Sequence, residues 1–393
     1  MKLKYKHTAL ACYNAYITQA IINNLGPLLF VTFEKSLGIS TAQLGLLISI
    51  NFGTQILVDL ICTKLIDKIG FRTGMVASHI FAVAGLIGMS IFPFVFSSPF
   101  YGLAAAYIIN AVGGGLAEVL VSPAIEALPG DEKAKSMSLL HSFYCFGHVA
   151  VVLLSTLYFN TIGIENWRFL PVIWAVIPLI NIFAFIFVPL NTPVDAGEAL
   201  PLKKLFSLKV FWLFFILMIC SGASEQAMSQ WASMFAEQGL NVSKTTGDLL
   251  GPCMFALLMG LSRAFYGKFG EKINLKTFIS GSAVLCILSY LIAVFAPYPL
   301  ISLIGCGLCG LSVGIMWPGT FSLAAKACPR GGTAMFALLA FAGDIGCMSG
   351  PNTVSLFSGA GLKTGILCAA VFPLILLLLV KFGIRQQKSR TVD

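Results

Sequence analysis

The stretch Thr63-Lys64-Leu65-Ile66-Asp67-Lys68-Ile69-Gly70-Phe71-Arg72 lies between two long apolar runs. It is echoed by Gly267-Lys268-Phe269-Gly270-Glu271-Lys272-Ile273-Asn274-Leu275-Lys276. Each copy sets an acid, then a lysine, then a basic residue four positions on. The offset is the same for Thr63 and Gly267, Asp67 and Glu271, Lys68 and Lys272, and Arg72 and Lys276. Such a repeat in an apolar chain points to a transporter built from two similar halves.

Hydrophobic residues make up 58% of the chain and charged residues 10%. A water-soluble domain carries roughly a quarter charged residues, so the solvent of this chain is largely lipid. Its net charge of +9 is scattered through short loops and reads as membrane orientation rather than nucleic-acid binding. The 11 cysteines lie almost entirely within apolar runs, without disulfide spacing, and read as packing residues. Cys306 and Cys309 have redox spacing, and Gly305, Gly307 and Gly310 have dinucleotide-loop spacing. No strand precedes either, so both read as small residues letting helices approach. No cofactor or metal site is expected.

A membrane-spanning helix needs about 20 apolar residues. Twelve such runs occur, at 8–33, 41–64, 73–96, 99–126, 136–160, 168–190, 209–236, 246–267, 276–297, 299–325, 333–357 and 363–384. The runs are continuous rather than alternating, which excludes a β-barrel. The expected fold is an all-α membrane protein of twelve transmembrane helices in two pseudo-symmetric six-helix bundles. Residues 1–190 form the first bundle, 191–208 a polar connector and 209–393 the second bundle. Lys and Arg concentrate in the loops on one side, whereas the other side has only Lys35, Arg168, Lys244 and Lys363. This asymmetry puts both termini in the cytoplasm, in a multi-pass protein of the plasma (inner) membrane.

Charged residues deep in a span are costly, and each is by default a functional candidate. These are Glu118, Glu225 and Asp344 in spans 4, 7 and 11. Asp59 and Arg263 lie nearer the span ends at equivalent repeat positions and read as structural anchors for the gating loops. Helical spacing lines up Tyr107, Asn110, Gly114 and Glu118 in span 4, and Ser221, Glu225, Met228 and Trp231 in span 7. It does the same for His141, Tyr144, Cys145 and His148 in span 5, and for Tyr16, Ala20, Asn23 and Pro27 in span 1. A polar cavity is expected from these stripes, with Asn24 and Trp317 added to its lining. No Lys or Arg falls near a span centre, which disfavours an organic anion or phosphate. An acidic, aromatic cavity suits a neutral polyol, a sugar or a cation. A membrane enzyme would need a catalytic loop or metal cluster, and neither is apparent.

The Asp67-Lys68-x-Gly70-x-Arg72 loop, its echo and the six-plus-six organisation resemble the major facilitator superfamily across the whole chain. Three further stretches resemble the fucose permease-like family of sugar:proton symporters. These are Gly113-Gly114-Gly115-Leu116-Ala117-Glu118 with Ser122-Pro123, Leu139-Leu140-His141 with Gly147, and Gly222-Ala223-Ser224-Glu225 with Trp231. The resemblance implies two bundles rocking about a mid-membrane site. Taken with the polar stripes, it gives proton coupling to Glu118 with His141, and a sugar site to Asn23, Asn24, Tyr107, Asn110, Glu225, Trp231, Trp317 and Asp344, the last an acid that the resemblance itself does not supply. Gating falls to Asp67, Lys68, Gly70, Arg72, Glu271 and Lys272. The expected partners are a small solute, protons and the lipid bilayer, with no nucleic acid and a monomeric state. An efflux antiporter of cationic drugs and an uncoupled sugar uniporter are the alternatives.

Overall fold

The computed structural model describes residues 4–129, 133–190, 202–269, 273–328 and 331–383, with the side chains of 63–68, 126, 133–138, 202 and 332–334 left out. All secondary structure among the described residues is helical, and helix occupies each of the twelve predicted spans. Among the described residues, ten segments are long and apolar enough to cross a membrane. The first and eleventh spans fall outside that set yet are helical over Tyr5–Leu28 and Gly332–Phe357. The first is polar along its length, with Asn14, Gln19, Asn23 and Asn24. The chain is an all-α membrane protein. Helices prevail because lipid offers no hydrogen bonds, so each backbone N–H must be satisfied within its own segment.

The chain separates into two compact units, Met1–Val194 and Asp195–Asp393. Most of the predicted connector, 191–201, lies outside the described residues, and Leu202–Ser207 beyond it is a short helix.

In the first unit, α1 (Tyr5–Leu28), α2 (Thr41–Ile69), α3 (Phe71–Val95), α4 (Pro99–Glu126), α5 (Lys133–Ile162) and α6 (Val176–Phe187) form the bundle. Pro27 weakens the end of α1, and the chain turns at Leu29 into a second helix, Phe30–Leu37, closed by Gly38 at φ +68°. Helices α3 and α4 approach through small residues. A Cβ on Gly113 would crowd Ser78 and Ala82, and one on Gly85 would crowd the Asn110 backbone. His79 joins three helices. Its Nδ1–H donates to the Met75 carbonyl at 2.8 Å, and Asn181 on α6 donates to its Nε2 at 2.9 Å and to the Ala11 carbonyl on α1 at 3.0 Å. Helix α1 packs against α4, α5 and α6, which brings its amides to the acid of α4.

The second unit contains α7 (Lys209–Ser229), α8 (Met254–Phe269), α9 (Leu275–Phe295), α10 (Pro299–Val313), α11 (Met316–Ala327) and α12 (Gly332–Phe357). Two short helices, Leu362–Ala369 and Val371–Leu378, follow. Cys306 and Cys309 are fully buried. A Cβ on Gly305 would crowd Ala293 of α9, and one on Gly310 would meet the Phe255 backbone of α8. The two short motifs there are thus contacts between α10 and its neighbours, as their setting in an apolar run suggests.

Candidate functional site

Within the first unit, Glu118 is half-buried on α4. Gln19 of α1 donates from Nε2 to its Oε2 at 3.4 Å and to Gln55 Oε1 of α2 at 2.8 Å. Gln55 donates in turn to Asn23 Oδ1 at 3.0 Å, and Asn51 donates to the same oxygen at 3.0 Å. Four buried amides from two helices thus form one chain ending on a carboxylate. The sense of this chain is fixed at that end, because an ionised carboxylate can only accept. Two buried acceptors in the chain, Gln19 Oε1 and Asn51 Oδ1, have no hydrogen-bond partner.

Asn24, one residue beyond Asn23, donates to the Ala20 carbonyl at 2.9 Å and to the Tyr144 hydroxyl of α5 at 3.3 Å. Tyr107 is buried with its hydroxyl against Gly26, where a Cβ would collide with it, and that hydroxyl has no hydrogen-bond partner. Gly114 gives the network its room, since a Cβ there would stand 2.9 Å from Gln19 Oε1. The predicted α4 stripe divides. Gly114 and Glu118 meet the amides of α1 and α2, whereas Asn110 is buried with its Cβ beside Gly85 of α3. His141 is exposed, with its ring edge-on to Tyr16 at 5.4 Å. Tyr16 shares a 2.9 Å hydrogen bond with Ser122, one turn beyond Glu118.

Within the second unit, Glu225 is buried on α7 and carries a cation. Arg263 Nη2 of α8 stands 3.3 Å from Glu225 Oε2, and Arg263 Nε donates to the Gly314 carbonyl at 3.3 Å. The expectation that no cation reaches the central acids therefore fails here. Arg263 lies near the end of its span in sequence, but its long side chain carries the guanidinium back to α7. Gln226 donates to Glu225 Oε1 at 3.2 Å, and Gln230 donates to Gln226 at 3.0 Å. Trp231 is fully buried and donates from Nε1 to the Pro351 carbonyl at 3.1 Å. It is a core residue of this unit. Trp317 is half-buried, with its ring where a Gly343 Cβ would lie, next to buried Asp344.

Of the predicted gating residues, Glu271 and Lys272 lie outside the described residues, as do the side chains of Asp67 and Lys68. Gly70 holds φ +81° between α2 and α3 with open space around it, so conformation and not crowding calls for glycine. Arg72 donates to the Phe185, Ile186 and Val188 carbonyls at 2.6, 2.7 and 2.8 Å. It caps the last turn of α6, where free carbonyls and the helix dipole favour a cation.

Sequence reasoning passed over Asn51 and Gln55, which sit a turn apart in a run read as apolar. It also passed over Asp248, which is buried and paired with Lys244 at 3.0 Å, with Ser233 donating to it at 2.5 Å. The signal was present, since neutral amides four residues apart within a span are polar groups that need partners.

The family model described as the Major Facilitator Superfamily matches residues 11–351. Among solved structures the fold is similar to FucP, a transporter of that superfamily in the outward conformation. That match has 16% identity and a TM-score of 0.68, covering 95% of this chain and 98% of that one. It is also similar to a D-xylose–proton symporter at 15% identity and a TM-score of 0.79, covering 96% of each chain. A further match is the E. coli fucose:proton symporter FucP, at 16% identity and a TM-score of 0.66, covering 95% of this chain and 98% of that one. No curated protein matches significantly by sequence. With the family model covering most of its length, the chain belongs to the major facilitator superfamily of membrane transporters.

Proposed function

We propose that this protein is a secondary active transporter that moves a small neutral solute, a sugar first among the candidates, by alternating access coupled to protons. The carrying observation is the contact of Glu118 with Gln19 at the end of a buried amide chain. A carboxylate inside a membrane domain is the natural place to load a proton, and amides bind hydroxyls without demanding charge. The fold neighbours named for fucose:proton and D-xylose–proton symport support the sugar reading. The ion pair that occupies Glu225 weighs against a cationic drug as substrate. Lys and Arg asymmetry supports cytoplasmic termini.

In proteoliposomes, an inward proton gradient should drive accumulation of a sugar from a panel that includes L-fucose and D-xylose. Glu118→Gln keeps the shape and removes the titration. It should abolish accumulation while sparing exchange of internal for external sugar. Gradient-driven accumulation by Glu118→Gln would refute the assignment of the proton to Glu118.

A further inference from the structure

The amide chain has a sense, and its two ends are bare. Gln19 Nε2 donates both to Glu118 and to Gln55, Gln55 donates to Asn23 Oδ1, and Asn51 donates back to that same oxygen. In this sense Gln19 Oε1 and Asn51 Oδ1 are left buried without a donor. A primary amide turned by half a revolution about its last bond exchanges oxygen for nitrogen at nearly the same positions. A chain of amides can therefore be reversed as a whole with little movement of heavy atoms.

We propose that Gln19, Gln55, Asn23 and Asn51 are a reversible relay whose sense is set by the proton on Glu118 and whose bare ends meet the solute. This rests on the reading of Glu118 as the proton site. With Glu118 ionised, Gln19 donates to it, and the ends of the relay are acceptors. When a proton from the aqueous phase adds to the carboxylate, the new O–H needs an acceptor. Gln19 turns and supplies Oε1, so its nitrogen moves to the place beside Gly114. Gln55 Oε1 has then lost its donor and turns to offer nitrogen to Gln19. Asn23 and Asn51 follow, and the ends become N–H donors.

Other ionisable groups sit on the helices packed against α4. Asp59 lies on α2, one turn beyond Gln55. Tyr16 on α1 is bonded to Ser122, and His79 on α3 is held by Met75 and Asn181. On α5 are His141, against Tyr16, with Tyr144, bonded by Asn24, and buried His148. None of these makes a hydrogen bond with Gln19 or Gln55, the amides that link Glu118 to Asn23.

The relay also selects the solute. A hydroxyl both donates and accepts, so a polyol can be held in either sense. An ammonium only donates and would be held only while Glu118 is ionised. Proton and solute therefore travel together only when the solute carries hydroxyls.

The test is infrared difference spectroscopy of the full chain in lipid across a pH titration. Acidification should raise a protonated-carboxyl band that is absent in Glu118→Gln. At the same pH, side-chain amide carbonyl bands should shift. Gln19→Met and Gln55→Met keep side-chain length and cut the relay at different points, so one serves if the other does not fold. Each should keep the carboxyl band; Gln19→Met should lose the amide shift, and Gln55→Met should shrink it to the part that Gln19 alone supplies. If the amide shift survives both cuts undiminished, the relay is refuted and the proton site stands. If the carboxyl band is absent, or persists in Glu118→Gln, the proton assignment fails and the relay with it.

Discussion

The Arg263 guanidinium stands 3.3 Å from the Glu225 carboxylate and ties α8 to α7 inside the second unit. Both side chains are largely removed from solvent, at 15% and 10% exposure. Removing one partner strands a buried charge, at a cost of about 3–5 kcal/mol. Arg263→Met should lower the unfolding temperature sharply. The double variant Arg263→Met with Glu225→Gln should regain much of that loss. Equal melting of the single and double variants would show that the two charges are not coupled.

Trp231 belongs to the interior of its unit, so its truncation is first a stability defect. Trp231→Ala should cost about 3–5 kcal/mol through the cavity it leaves. Trp231→Phe should cost about 1–2 kcal/mol, because the buried Pro351 carbonyl loses its donor. Sugar affinity, measured on the folded fraction, should change little. A weakened affinity with unaltered melting would make Trp231 a binding residue instead.

Tyr107 presents the opposite case. Its hydroxyl is buried without a hydrogen-bond partner, so Tyr107→Phe removes nothing from the resting protein. Its melting temperature should equal or exceed that of the parent, while solute binding weakens by about 5–10-fold, the worth of one hydrogen bond. Gly26→Ala should destabilise by about 1–3 kcal/mol, since the added methyl falls on that hydroxyl. Combining it with Tyr107→Phe should recover part of the loss. Thermal melts with and without sugar separate these outcomes.

Arg72 should be read out locally. It is exposed, so solvent softens its contribution, and Arg72→Ala should cost about 1 kcal/mol. The loss should appear as faster hydrogen exchange over the last turn of α6, near Phe185–Val188. Unchanged exchange there would remove the capping role.

Fold class was legible because it depends on quantities summed over the chain: apolar run length and the scarcity of charge. Glu118 stands out in the sequence as an acid where acids are costly. What was not legible depends on reach and on direction around a helix. Arg263 looks peripheral by its Cα, but its side chain spans the distance to Glu225. Trp231 lies on the same helical stripe as Glu225, yet it faces Pro351 of another helix. Asn51 and Gln55 are uncharged and vanish into a hydropathy average. Only the approach of α1 to α2 reveals them as partners of Asn23 and Gln19.

The glycines between α7 and α12 carry a mechanical meaning. At Gly222, Gly346 and Gly350, a methyl group would land on main-chain atoms of the facing helix. No cushion of side chains separates the two backbones, so there is nothing to shear and no crevice for an acyl tail. The pair behaves as one stiff beam. Bending in this unit is left to its weaker joints. One is the break at Trp231, and another is the widened turn at Leu249–Cys253, where Pro252 loosens the hydrogen-bond ladder just before α8.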